Sequence, residues 1–179
     1  MQLRDKQRLA LLAAFAVALH ALERMIPSPL PWFKFGLANI ITLLALLLYG
    51  FKTSMMITMV RVFAGSLIAG MFLGPAFVLS LSGAVMGTLA MAAVHKTMPS
   101  AFGPLGLSLA GALAHNLGQL AAAHILFIRN LDAILLVSPF ILFIGVLTGA
   151  VNGLFAVFIM MRLKNTGLSI QNTPCPTRR

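Results

Sequence analysis

Three groups of residues in this sequence have side chains suited to chemistry. The first runs from Leu22 to Asn39. Within twelve residues of it lie Glu23, one of only three acids, the bases Arg24 and Lys34, three prolines and the sole tryptophan, Trp32. The second is Arg61, alone inside an apolar run. The third is His115, Asn116 and Gln119, set among alanine and leucine. Charged, amide and imidazole groups of this kind bind a small molecule by charge and hydrogen bonds. Metal chemistry is not expected. His124 lies nine positions from His115, half a turn round a helix, so the two cannot chelate one ion. His20 and His95 sit on other segments, and no thiolate cluster supports zinc or haem. No cofactor is expected.

The elements that must hold these residues are apolar. Sixty per cent of the chain is hydrophobic and 9% charged, against about 45–50% and about 25% in a soluble domain. The mean hydropathy is +0.98. A spanning helix takes about 20 residues, so 179 residues make one domain with room for five to seven spans. The sequence predicts an all-α polytopic bundle of six helices, at about 8–25, 36–51, 54–73, 75–95, 104–128 and 134–162. Breaks fall at Pro27, Pro29 and Pro31, at Tyr49-Gly50, at Gly74-Pro75, at Pro99 to Pro104, and at Arg129 to Asp132. The last run is long. Pro139 either begins or kinks it, and a further break at Gly145–Gly149 would make a seventh span.

Charge sets the orientation. Nine bases (Arg4, Lys6, Arg8, Lys52, Lys96, Arg162, Lys164, Arg178 and Arg179) fall on one side of the predicted spans. Arg24, Lys34 and Arg129 fall on the other. The positive-inside rule then puts both termini in the cytoplasm of a multi-pass cell-membrane protein, and Leu22–Asn39 outside. The formal charge of +10 does not indicate nucleic acid, because the bases flank hydrophobic runs instead of clustering. The first helix resembles a signal peptide but reads as uncleaved, since a polytopic chain follows. Residues 1–163 form the transmembrane domain, and 164–179 read as a disordered cytoplasmic tail. Cys175, the only cysteine, lies in that tail and says nothing of redox compartment.

A central arginine costs about 2.5–3.5 kcal/mol to insert, so Arg61 should face the bundle interior. Two roles stay open for it: a structural partner of Glu23 or of backbone carbonyls, and a receptor for an anionic ligand group. His115 and Gln119 share a helix face at i, i+4, with Asn116 beside them. That stripe either bonds neighbouring helices or binds a ligand. Asn39, Ser66, Ser80, Ser82 and Asn152 add uncharged polar groups on other spans. Small residues recur every fourth position at Ala10/Ala14/Ala18, Gly83/Gly87 and Gly145/Gly149/Gly153. Such stripes pack helices closely in lipid. Ala10, Ala14 and Ala18 are also the most plausible docking face for another membrane protein. The prolines stop the first helix, and Trp32 with Phe33 fits an interfacial anchor; neither accounts for the charges around them.

Three blocks together resemble a known family. They are Leu22-Glu23-x-x-Ile26-Pro27-x-Pro29-x-Pro31-Trp32-x-Lys34-x-Gly36-Leu37-Ala38-Asn39; Arg61-Val62-x-x-Gly65 through Phe77-x-x-Ser80-x-Ser82-Gly83; and Gly111-Ala112-x-Ala114-His115-Asn116-x-Gly118-Gln119. They resemble the membrane family labelled heptaprenyl diphosphate synthase component I, also called the Gx transporter family, over residues 9–162. That family is similar in layout to the S subunits of energy-coupling-factor vitamin transporters. The resemblance implies six helices, an extracellular-side cavity lidded by residues 26–36, and docking of Ala10, Ala14 and Ala18 on a transmembrane coupling subunit. It also implies separate ATPases, since the chain has no Gly-x-x-x-x-Gly-Lys-Ser/Thr loop.

The synthase label meets a chemical obstacle. Diphosphate chemistry on Mg²⁺ needs several carboxylates, and the two aspartates, Asp5 and Asp132, are expected on opposite sides of the membrane. The chain is therefore expected not to be an enzyme. The leading expectation is a membrane subunit that binds or transports a small organic solute. Its binding residues would be Glu23, Arg24, Trp32, Lys34, Asn39, Arg61, His115, Asn116 and Gln119. The external bases outnumber the acids Glu23 and Asp132, which favours an anionic or zwitterionic ligand, and Trp32 offers a stacking face. The alternatives are a non-catalytic subunit of a quinone- or flavin-linked electron-transfer complex, with an apolar cavity for a ring or isoprenoid tail, and an accessory subunit of prenyl-quinone synthesis.

Overall fold

The computed structural model describes residues 3–25, 36–98 and 102–165. These form six helices and no strand: α1 (Leu3–Met25), α2 (Leu37–Tyr49), α3 (Phe51–Ile68), α4 (Pro75–Thr97), α5 (Pro104–Leu126) and α6 (Leu131–Asn165). The order and number match the hydropathy reading, and the boundaries follow local chemistry. α4 and α5 each begin with proline at the first helical position, where its missing N–H is no loss.

The α2–α3 connection is a single residue. Gly50 takes φ 83, a conformation that a side chain disfavours. Its N–H closes the last turn of α2 on Leu46 O, and its carbonyl accepts from Ser54 N–H. That is why α3 starts three residues earlier than expected. It also ends earlier, at a turn where Gly70 takes φ 65.

The last apolar run is one helix of 35 residues, about 52 Å long, with no break at Gly145–Gly149. Pro139 lies inside it and cannot donate to the carbonyl of Leu135. The hydroxyl of Ser138 donates to that oxygen instead, at 3.1 Å.

α2 is the central post. It packs against all five other helices, and Leu43, Leu44, Ala45, Leu46 and Leu47 are all buried. A helix apolar on every side must be surrounded. Its lower half forms the main core with Met91, Leu107 and Ala156. At thirteen residues it is only about 20 Å long, shorter than the hydrocarbon layer. α5 lies between α4 and α6.

The outer surface is oil. α6 exposes Leu136, Phe143, Leu154 and Phe158, with Leu136 at 82%. Among the described residues α3, α4 and α6 are each long and apolar enough to cross a bilayer. Polar groups turn inward and apolar ones outward, the reverse of a water-soluble domain. The chain is a membrane protein.

A polar cavity built from all six helices

The cavity forms at one end of α2, where the leucine core gives way to polar side chains. Its wall takes His20 and Glu23 from α1, Asn39 from α2, Arg61 from α3 and Ser80 from α4. α5 gives His115, Asn116 and Gln119; α6 gives Thr148 and Asn152. The cavity volume is about 50 Å³, room for a few water molecules.

Arg61 is the electrostatic centre. It is 3% exposed, and Glu23 is 8% exposed. Arg61 Nη2 donates to Asn39 Oδ1 at 2.7 Å, and Nε has no acceptor among the described residues. Glu23 is near enough for its charge to act on the guanidinium. A guanidinium carries five donors, so this cation is held but not saturated.

Small residues let the polar groups converge. A Cβ on Gly65 would overlap the ring of His20, and one on Gly145 would overlap the amide of Asn116. One on Gly83 would meet Gln119 Cγ at 2.7 Å and His115 Nε2 at 2.9 Å. Asn116 Nδ2 donates to Ile141 O at 3.0 Å. Asn152 Nδ2 donates to Gly36 O at 3.1 Å, fixing the start of α2 against α6. The Gly145/Gly149/Gly153 and Gly83/Gly87 stripes thus pack within the molecule, against α5.

Below Arg61 and Asn39 lies a layer of buried hydroxyls. Thr58 Oγ1 on α3 is 3.0 Å from Thr88 Oγ1 on α4 and 3.4 Å from Thr42 Oγ1 on α2. Ser54 donates to Thr42 O at 2.9 Å. This layer separates the cavity from the leucine core.

Six of the nine expected binding residues meet at the cavity: Glu23, Asn39, Arg61, His115, Asn116 and Gln119. Trp32 and Lys34 lie outside the described residues, as does the side chain of Arg24, whose backbone belongs to α1. The expected lid, residues 26–36, is described only at Gly36, yet Glu23 before it and Gly36 at its end both line the cavity. His20 and Thr148 were not expected there. His20 had a legible signal, since it precedes Glu23 by three residues and shares its helix face. Ala10, Ala14 and Ala18 are elsewhere, exposed on the outer side of α1 beside Leu11 and Phe15.

A family described as heptaprenyl diphosphate synthase component I matches residues 12–159. The chain belongs to that family. No curated protein and no solved structure matches it. The matched range holds every described residue on the cavity wall, so that wall comes from the part of the chain the family shares.

Proposed function

We propose that this member of the family is a six-span cell-membrane subunit, both termini cytoplasmic, that captures a small water-soluble organic solute from outside. The observation that carries this reading is Arg61: a buried cation with donors to spare, on a cavity to which each of the six helices brings a polar side chain within an apolar bundle. Burying such a group without full satisfaction is costly. A ligand acceptor at the guanidinium offsets that cost, whereas a purely structural arginine would be saturated by the protein.

The solute is handed on to a separate energising module. The exposed Ala10, Ala14 and Ala18 support this, because they leave a flat strip on α1 where another helix can approach closely. Residues 26–36 act as the cover of the cavity, with Trp32 and Lys34 as further ligand contacts. The subunit is not itself catalytic: three acids in the whole chain are too few for a diphosphate–magnesium centre.

The test is thermal stability of the purified protein against water-soluble metabolites and against quinones and polyprenyl lipids. The reading expects stabilisation by a soluble compound, lost in Arg61→Ala. Stabilisation by quinones or polyprenyl lipids alone would refute it.

A further inference from the structure

We infer that a solute bound at Arg61 leaves toward the cytoplasm along the seam between α2, α3 and α4, and that the hydroxyls of Thr42, Thr58 and Thr88 are the closed gate of that route. This rests on the solute-capture reading above and extends it from binding to release.

The route begins at the cavity floor. Arg61, Thr58 and Ser54 follow one another at three- and four-residue spacing on α3. One face of that helix therefore carries three hydrogen-bond donors over about 10 Å. All three side chains are buried. Ser54 lies in the first turn of α3, two residues after the exposed Lys52, on the side assigned to the cytoplasm. Thr42 and Thr88, also buried, meet Thr58 from α2 and α4. Buried polarity thus continues from the cavity to the last turn before the cytoplasmic end of α3.

Packing does not require it. Leu43 and Leu44, next to Thr42 on α2, join Leu107 of α5 and Ala156 of α6 in the leucine core. At one depth, then, α2 meets α5 and α6 through leucine, and α3 and α4 through hydroxyls. Hydroxyl bonds between helices add little to stability in lipid, so an apolar seal would serve a static bundle as well.

The hydroxyl protons show why this seam can open. Each hydroxyl has one proton to give. Thr88 gives its own to Ala84 O on the same helix, at 2.8 Å, and Thr42 has Ala38 O at 3.4 Å. Thr58 is then the donor to Thr88 Oγ1, at 3.0 Å. Parting α3 from α4 leaves Thr42 and Thr88 satisfied by their own helices and frees one donor, Thr58, three residues before Arg61. An acceptor on the solute takes that donor as it moves down from the guanidinium. α4 packs more extensively on α5 than on α3, so it moves with α5. Parting α2 from α5 instead would set leucine against a polar solute, with nothing to bond it.

Cysteine labelling tests the route with a probe that needs no knowledge of the solute. In a Cys175→Ser background, Thr58→Cys and Thr88→Cys put a thiol of similar size on each side of the seam. Leu43→Cys and Leu44→Cys put one beside Thr42 in the leucine core. Inside-out vesicles from the protein's own membrane, which keep its partner subunits, receive ATP and 2-sulfonatoethyl methanethiosulfonate, a small membrane-impermeant anion. Intact-protein mass reads the labelling. The seam cysteines should react about tenfold faster than the core cysteines, as expected for a segment that opens locally. The comparison is a strict one, because Leu→Cys leaves space that favours the reagent. Two seam positions keep it decisive if one variant does not fold. Seam cysteines no faster than the core ones make the hydroxyls mere ties between helices and overturn the route, while solute capture stands. Fast seam labelling in a protein that no water-soluble compound stabilises refutes capture, and with it a solute route.

Discussion

Arg61 Nη2 donates to Asn39 Oδ1 at 2.7 Å, tying the middle of α3 to the first turn of α2. It is the one hydrogen bond of that guanidinium within the described residues, and it lies on the cavity wall. Stability and binding can therefore be separated at Asn39. Removing the acceptor in Asn39→Ala should cost about 1–3 kcal/mol, the usual loss when a buried charged donor is orphaned. Asn39→Asp should restore most of that stability, since a carboxylate satisfies the guanidinium better than an amide. The same substitution should abolish stabilisation by a carboxylate-bearing solute, because the protein's own carboxylate then occupies the donors. Denaturation in detergent, with and without a stabilising solute, reads both effects. If Asn39→Asp keeps the parent's response, Arg61 is not where the solute's acid binds.

The helices were legible in the sequence because lipid imposes a simple pattern: long apolar runs, interrupted where Gly, Pro or charge collects. Most of the cavity was legible for a related reason. In an apolar chain each polar residue stands out, and Arg61, His115, Asn116 and Gln119 had nowhere favourable to point but inward. What sequence could not give was convergence. Thr42, Thr58 and Thr88 look ordinary one by one, as threonine satisfies itself on its own helix; only packing brings their hydroxyls into one layer. The continuity of α6 was also hidden, because Ser138 satisfies the Leu135 carbonyl that Pro139 cannot reach.

Glycines on α4 and α5 should divide sharply by what a methyl group would meet. A Cβ at Gly83 would lie 2.9 Å from the backbone oxygen of His115 and 2.7 Å from Gln119 Cγ. Gly83→Ala must push α4 and α5 apart, at about 1–3 kcal/mol for overpacking, and should weaken solute binding by moving His115 and Gln119. A Cβ at Gly103 would meet nothing within 4 Å among the described residues, and the backbone there is extended at the start of α5. Gly103→Ala should change stability by no more than about 0.5 kcal/mol and leave binding intact. Melting curves of the two proteins side by side check the contrast; equal losses would mean that the close α4–α5 approach does not hold in the membrane.

Thiol labelling in intact cells tests the proposed orientation. Cys175 is the sole cysteine, and with a cytoplasmic C-terminus a membrane-impermeant maleimide should reach it only after permeabilisation. Arg129 is exposed between α5 and α6, on the side assigned outside. In a Cys175→Ser background, Arg129→Cys should therefore be labelled without permeabilisation. The opposite pattern at both sites would invert the topology and put the cavity at the cytoplasmic end of α2.

The outer face of α1 calls for the reverse kind of variant, one that leaves the cavity alone. Ala10, Ala14 and Ala18 are exposed and stacked at four-residue spacing, while His20 and Glu23 point inward from the same helix. α1 thus has one face for the cavity and another that the described residues leave uncovered. A tryptophan at the middle position fills the strip without touching the bundle. Ala14→Trp should keep stability within about 0.5 kcal/mol of the parent and keep its response to a stabilising solute. It should lose the partner subunits that native mass spectrometry detects with the parent protein drawn from its own membrane. A variant that still carries the same partners assigns docking to another surface, with the exposed side of α6 next in line for its length of uncovered phenylalanine and leucine.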